Sequence, residues 1–218
     1  MKKSKPLTVV LAVLTAITLM TAAIAAPILC RPFYYAHIDA LDLCEQTGYT
    51  EEEIRTAFDE MMDYCLGGEA FSTGVLKWSE EGKSHFTDVR KLFLLDLKWL
   101  AFGVILLIGT AICMKVSGKR PALLAGRGFP FWAGAGLGGS FLIVGGLAAL
   151  DFDRAFVIFH TLFFPGKDNW LFDPRTDEVI NILPQEYFMN CAILILAALI
   201  LGCVALMVFD LLHHRKKA

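Results

Sequence analysis

The stretch Phe188–Phe209, FMNCAILILAALILGCVALMVF, runs for 22 residues without a charged side chain. A helix of roughly 20 apolar residues crosses the ~30 Å hydrocarbon core of a bilayer. Backbone groups in lipid must be satisfied within the segment, so a continuous apolar run rather than two-residue alternation selects a helix. Three more runs have this character: Leu7 to Leu29, Phe93 to Met114 and Phe129 to Leu150. Only the second is interrupted, near its start, by Asp96 and Lys98. The chain has 218 residues, 56% apolar and 19% charged, against roughly 45–50% and about 25% in soluble domains. The expected fold is all-α, a four-transmembrane-helix bundle with a small extracytoplasmic helical lobe. The spans are placed at about 7–29, 93–114, 129–150 and 188–209 of a single membrane domain, 1–218. The first run has a basic start and Ala23-Ile24-Ala25 resembles a cleavage site, but the run is longer than a signal-peptide core and is read as an anchor.

Lysine and arginine then set the orientation. Basic residues cluster before the first run (Lys2, Lys3, Lys5), between the second and third (Lys115, Lys119, Arg120, Arg127) and after the last (Arg215, Lys216, Lys217). By contrast, Arg31 to Arg90 holds 5 basic and 13 acidic residues, and Asp151 to Tyr187 holds 3 and 7. The N-terminus, the 115–128 loop and the C-terminus are therefore expected in the cytoplasm, and loops 30–92 and 151–187 outside, in a multi-pass protein of the cell membrane. The basic tails are topology signals that hold anionic lipid, not nucleic-acid sites.

The first outer loop is patterned. Thr50-Glu51-Glu52-Glu53 reads as a capping box, and Ile54, Phe58, Met61, Met62 and Cys65 follow at helical spacing until Gly67-Gly68. This amphipathic helix must cover either the rest of the loop or the membrane surface. Ser84 is expected to begin another helix that enters the second span. In the second outer loop, Phe152, Phe156, Phe159 and Phe163 mark a helical stripe suited to packing or the headgroup layer. Six glycines in the third run, among them the Gly134/Gly138 GxxxG pair, permit close helix approach. They lack the strand and aqueous setting of a nucleotide loop. Cys113, Cys191 and Cys203 are expected to pack as small apolar groups, and Cys44 and Cys65 are compatible with a disulfide without requiring one.

Among five histidines, His213 and His214 belong to the basic tail and His37 follows the first span. His85 and His160 stand out, on different elements just outside the membrane runs. Asp88 lies three residues after His85, on the same helical face, where a carboxylate fixes an imidazole tautomer and raises its basicity. Arg90 either neutralises Asp88 or binds a lipid phosphate. Two histidines do not make a zinc site, and no metal or cofactor is expected. With no nucleophile motif, and Cys65 on an apolar face, chemistry needing only base, acid and positioning fits best.

The order and spacing of Tyr64-Cys65-Leu66-Gly67-Gly68, His85-Phe86-Thr87-Asp88-Val89-Arg90, Phe159-His160-Thr161-Leu162-Phe163-Phe164, Asn169-Trp170-Leu171-Phe172-Asp173-Pro174 and Leu183-Pro184, set among four spans, resemble the Lit family of Gram-positive lipoprotein intramolecular transacylases. The resemblance runs along essentially the whole chain. It implies an acyltransferase that moves the sn-2 acyl chain of an S-diacylglyceryl lipoprotein to the α-amine of the same N-terminal cysteine, leaving a lyso-form product. It also implies two catalytic histidines, which fall on His85 and His160, with Asp88, Arg90 and Trp170 as supporting candidates. The implied partners are diacylglyceryl-modified lipoproteins and membrane lipid. A rival is a non-enzymatic accessory or sensor protein whose outer lobe binds a partner through the amphipathic helix. A transporter fits less well, because the charged residues nearest the spans lie at their ends (Asp96, Lys98, Asp210) rather than near the midplane.

Overall fold

The computed structural model describes residues 3–215. Lys2, Lys216 and Lys217, three of the orientation charges, lie outside the described residues, as do the side chains of His214 and Arg215. The described chain forms eight α-helices: α1 Lys5–Leu29, α2 Arg31–Ala40, α3 Leu43–Thr47, α4 Glu51–Cys65, α5 Glu80–Ser117, α6 Phe129–Leu150, α7 Phe152–Phe163 and α8 Gln185–Arg215. A 3-10 turn spans Glu178–Ile182, and two-residue strands Lys3–Ser4 and Arg120–Pro121 pair in parallel. Helices α1, α5, α6 and α8 are long and apolar enough to cross a membrane. Their large aliphatic side chains are widely exposed, Ile105, Leu142 and Leu201 among them, as befits surfaces solvated by lipid. This is an all-α, multi-pass membrane protein.

Two compact units divide the chain. The first gathers the described parts of 1–24, 97–149 and 194–218. Here Gly134 of α6 lets the backbone of α8 approach closely: a Cβ at Gly134 would stand 2.6 Å from the Cys203 carbonyl oxygen. A Cβ at Gly138, one turn on, would stand 3.2 Å from the Cys203 side chain. The GxxxG pair is thus a packing surface. Of the other four glycines expected to permit close approach, only Gly145 does, against Leu196; Gly136, Gly139 and Gly146 face open space. At 100° per residue they fall on other faces of α6. At one end of this unit, the Thr8 hydroxyl donates to the Ala122 carbonyl (2.7 Å) and the Gly128 amide to the buried Asp210 carboxylate (3.0 Å). The N-terminal segment, the 118–128 loop and the end of α8 are thereby held together.

The second unit comprises 25–96 and 150–193. Its core is aromatic. Tyr34 of α2 stacks on Phe58 of α4 at 3.6 Å between centroids, meets the edge of Tyr187 at 5.1 Å, and donates its hydroxyl to the Ile182 carbonyl at 2.8 Å. A buried tyrosine hydroxyl with a partner is the arrangement that makes such a residue affordable in a core. Helix α4 has the expected capping box, Glu53 N–H donating to Thr50 Oγ1 (3.3 Å) and Thr50 N–H to Glu53 (2.8 Å). Its apolar residues Ile54, Phe58, Met61, Met62 and Cys65 are all buried, so the helix covers the rest of its own lobe. Little of that face remains for a partner, which removes the main support for an accessory role. Helices α2 and α3, which no sequence signal announced, fill the stretch between α1 and α4.

Candidate active site

The expected second helix of the outer loop starts earlier than Ser84. Helix α5 begins at Glu80, capped by Ser79, whose hydroxyl oxygen accepts from the Gly82 amide at 3.0 Å. The cap is itself held from a distant segment: buried Asp177 accepts from the Ser79 amide (2.8 Å) and hydroxyl (2.8 and 2.9 Å). Only glycine fits at position 82, since a Cβ there would lie 2.0 Å from the Asp177 carboxylate. This tertiary cap, invisible to local sequence, fixes the first turns of α5, and His85 sits on the second. Helix α7 starts with Asp151 accepting from the Arg154 amide (2.9 Å), and carries His160 in its last turn.

These two helices bring the histidines together. The imidazole centroids of His85 and His160 lie 5.8 Å apart with ring planes 30° from parallel. The residues are 5% and 7% exposed. Aromatic rings surround them: Phe164 and Phe172 meet His85 edge-on at 4.9 and 5.4 Å, Trp170 stacks on His160 at 4.5 Å, and Phe156 lies 4.2 Å from the same ring. His160 Nδ1 is 2.8 Å from the Phe156 carbonyl oxygen. A carbonyl only accepts, so Nδ1 carries the proton and Nε2 of the neutral ring keeps its lone pair. Burial lowers the pKa of His160, opposed by that carbonyl. His85 is pushed down to about 4, first by burial and then by repulsion from His160; Asp88 and Asn169 pull the other way. Both rings are therefore neutral at physiological pH, and the pair resists carrying two protons.

Asp88 does not hydrogen-bond His85. Its carboxylate pairs with Lys91, one turn on (2.9 Å), and with Lys167 from the segment after α7. Burial alone would raise its pKa; the two ammonium groups outweigh that and hold it at about 2. Asp88 acts instead on the strap 164–173. Lys167, which it anchors, accepts through its carbonyl from Trp170 Nε1 (3.1 Å), and Trp170 packs on His160. A polar cavity of about 290 Å³ opens beside this anchor, lined by residues including Ser84, Thr87, Asp88, Lys91 and Lys167. Lys167 was missed from sequence; the available signal was a lone lysine directly after Pro165-Gly166 in an acidic, aromatic loop.

Arg90 does not pair with Asp88. It donates to the Gly68 carbonyl (2.6 Å) and lies 4.8 Å over the Tyr64 ring, pinning the turn that ends α4. His37 belongs to the aromatic core, its Nδ1–H donating to Phe33 O (2.6 Å) against Tyr187. Among the described residues no three His, Cys, Asp or Glu side chains converge as a metal site. Cys44 and Cys65 are both free thiols. Cys65 is 1% exposed, its thiol donating weakly to the Phe86 carbonyl (4.0 Å), and burial pushes its pKa up to about 12.

The chain as a whole resembles proteins of known structure. A membrane-integral lipoprotein intramolecular transacylase, Lit, from Bacillus cereus superposes with a TM-score of 0.84 at 26% identity, covering 96% of this chain and 94% of that one. Two single-histidine variants of the same protein superpose with a TM-score of 0.77 at 24% identity, covering 96–97% of this chain and 93–94% of theirs. No curated protein matches the sequence. Residues 9–188, most of the chain, match the lipoprotein intramolecular transacylase family, Lit. The chain therefore belongs to the Lit family, and is a membrane-integral acyltransferase.

Proposed function

We propose that this enzyme transfers the sn-2 acyl chain of an S-diacylglyceryl lipoprotein to the α-amine of the same N-terminal cysteine, with His85 and His160 as the acid/base pair, on the extracytoplasmic side of the cell membrane. The observation that carries this reading is the pair itself: two buried, neutral imidazoles 5.8 Å apart, one with its Nε2 lone pair set free by a backbone carbonyl.

The chemistry is a proton relay around an intramolecular attack. The α-ammonium gives up a proton to reach its nucleophilic form. The amine nitrogen attacks the sn-2 ester carbonyl and forms a C–N bond, giving a tetrahedral oxyanion. One neutral imidazole takes the second proton from the attacking nitrogen. As the intermediate collapses, the C–O bond to glycerol breaks and the leaving oxygen receives a proton from the pair. The product carries an N-acyl amide and an S-monoacylglyceryl group; the proton taken from the attacking nitrogen ends on the glycerol hydroxyl, and the first ammonium proton leaves to solvent. Because amine and ester arrive on one molecule, positioning supplies several kcal/mol, up to ~7–11 in ideal geometry. Proton transfer by a positioned imidazole adds a typical ~10²–10⁴-fold. Repulsion between the rings keeps the pair from holding two protons at once, as a one-proton relay requires.

The surroundings suit an acylated substrate. Val157, Ile158, Phe159, Leu162 and Phe163 leave an exposed apolar face on α7, which acyl chains or lipid would cover. The clustering of Lys and Arg before the first span, in the 115–128 loop and after the last span supports an extracytoplasmic placement of the 30–92 and 151–187 loops.

The test is mass spectrometry of a reporter lipoprotein made with wild type, His85→Ala or His160→Ala. Each variant should remain in the membrane and yield no N-acyl, lyso-form product. Full conversion by either variant would remove that histidine from the mechanism, and transfer of the sn-1 chain would overturn the assigned regiochemistry.

A further inference from the structure

The geometry points to Asn169 as the positioning residue that sets the tautomer of His85, taking the role that the sequence suggested for Asp88. The inference rests on the acid/base reading of His85 given above. His85 Nδ1 and Asn169 Oδ1 are both buried and neither has a full hydrogen-bond partner. Leaving a buried polar atom unpaired is costly, so two such atoms at one site call for each other. Asn169 is adjacent: its Nδ2 donates to Ser84 Oγ, the residue before His85, at 3.4 Å. Asn169 also lies close enough to the His85 ring to favour its protonation. Pairing the two orphaned atoms forms Nδ1–H···Oδ1 and satisfies both.

The consequence is symmetry at the site. His160 Nδ1–H is held by the Phe156 carbonyl, and His85 Nδ1–H by the Asn169 amide oxygen. Both neutral rings then present Nε2 lone pairs as bases. Asn169 also joins the two histidines through the strap, since the next residue, Trp170, stacks on His160. An amide fills this role without the charge that a carboxylate brings. It orients the ring without adding charge to the pocket, so His85 stays neutral between His160 on α7, Asp88 on its own helix and Lys167 on the strap.

The direct test is ¹⁵N NMR of histidine-labelled full-length protein in detergent micelles, which separates the two tautomers by ring-nitrogen shift. Wild type should show His85 protonated at Nδ1 and bare at Nε2. The opposite tautomer, produced by an amide presenting Nδ2 to the ring, would overturn the inference. Asn169→Ala should convert His85 to a mixture of tautomers and lower turnover by about 10–100-fold, by analogy with metal-bound histidines that lose their orienting partner. Asn169→Asp should keep the Nδ1–H tautomer and most of the turnover while moving the acid limb of the pH profile upward, because a carboxylate stabilises the imidazolium. Unchanged tautomer and turnover in Asn169→Ala, or equal losses in both variants with no shift of the limb, would refute it. The readouts separate two failures: an active His85→Ala defeats the acid/base reading, whereas an inactive His85→Ala beside an unaffected Asn169→Ala defeats only this inference.

Discussion

Removing the Asp88 carboxylate tests whether this residue acts through the strap. Its pKa stands at about 2, against 3.8 for a free aspartate. At ~1.4 kcal/mol per unit the ceiling on its native-state interactions is roughly 2.5 kcal/mol. Its lysine partners are open to water, with side chains 69% exposed for Lys91 and 45% for Lys167. Solvent screening reduces the Lys167 share to about 1 kcal/mol, roughly a fivefold change in how often the strap is seated. The folded-state pKa is depressed, so this contribution is whole at neutral pH and is lost only as pH falls through about 4 towards 2. Asp88→Asn and Lys167→Met should each lower turnover about fivefold at pH 7, measured as lyso-form product from a diacylglyceryl lipopeptide in proteoliposomes. Because both break one link, the double variant should be no worse than the worse single variant, leaving a coupling of about 1 kcal/mol. Losses that multiply to about 25-fold would show that Asp88 and Lys167 act separately, and the strap mechanism would fall.

Three further perturbations follow from the same geometry. With His85 held near 4, kcat/KM should show no enzymic acid limb at 6.5, and thermal stability should decline as pH falls from about 6.5 towards 4, where the unfolded ring takes a proton that the folded one refuses; a limb at 6.5 would mean an ordinary, solvated histidine. Gly82→Ala forces a methyl group onto buried Asp177 and should cost about 1–3 kcal/mol, read as a Tm several degrees lower; an unchanged Tm would mean that the Ser79 cap is dispensable. Trp170→Ala removes the ring stacked on His160, worth about 0.5–1.5 kcal/mol, and should reduce turnover about three- to tenfold while Trp170→Phe retains most of it; equal losses would assign the role to the Nε1 hydrogen bond to Lys167.

The parts of this molecule that the sequence announced are those written in local pattern. Uninterrupted apolar runs announce membrane-crossing helices because lipid demands that each segment satisfy its own backbone. Thr50 and Glu53 announce the start of α4 because the capping box closes within four residues. What stayed hidden depends on contacts distant in sequence. The true start of α5 is held by Asp177, some hundred residues on, so Ser79 looked like any other loop serine. Helix α2 carries little apolar periodicity of its own; Pro32 in its first turn and the stacking of Tyr34 on Phe58 decide it. Asp88 was placed on the correct helical face beside His85, but three-residue spacing does not reveal that two lysines compete for it, one of them 79 residues away. For the same reason Arg90, adjacent in sequence, turned out to serve Gly68 and Tyr64.

The burial of Cys65 constrains the chemistry open to that thiol. An acyl-enzyme route needs a side chain that is ionised or deprotonated on demand and within reach of a base. Cys65, the cysteine packed against α5 at Phe86, fails both requirements: burial holds its thiol near 12, so at pH 7 roughly one molecule in 10⁵ carries the thiolate, and its hydrogen bond goes to a backbone carbonyl rather than to an imidazole. Two neutral imidazoles are instead suited to moving protons between groups already on the substrate. A covalent route through Cys65 would leave Cys65→Ser inactive and trap an acylated Cys65 in the wild type; direct transfer requires Cys65→Ser to turn over at near the wild-type rate, since a hydroxyl in the same packed position cannot accept the acyl chain any better than the thiol it replaces.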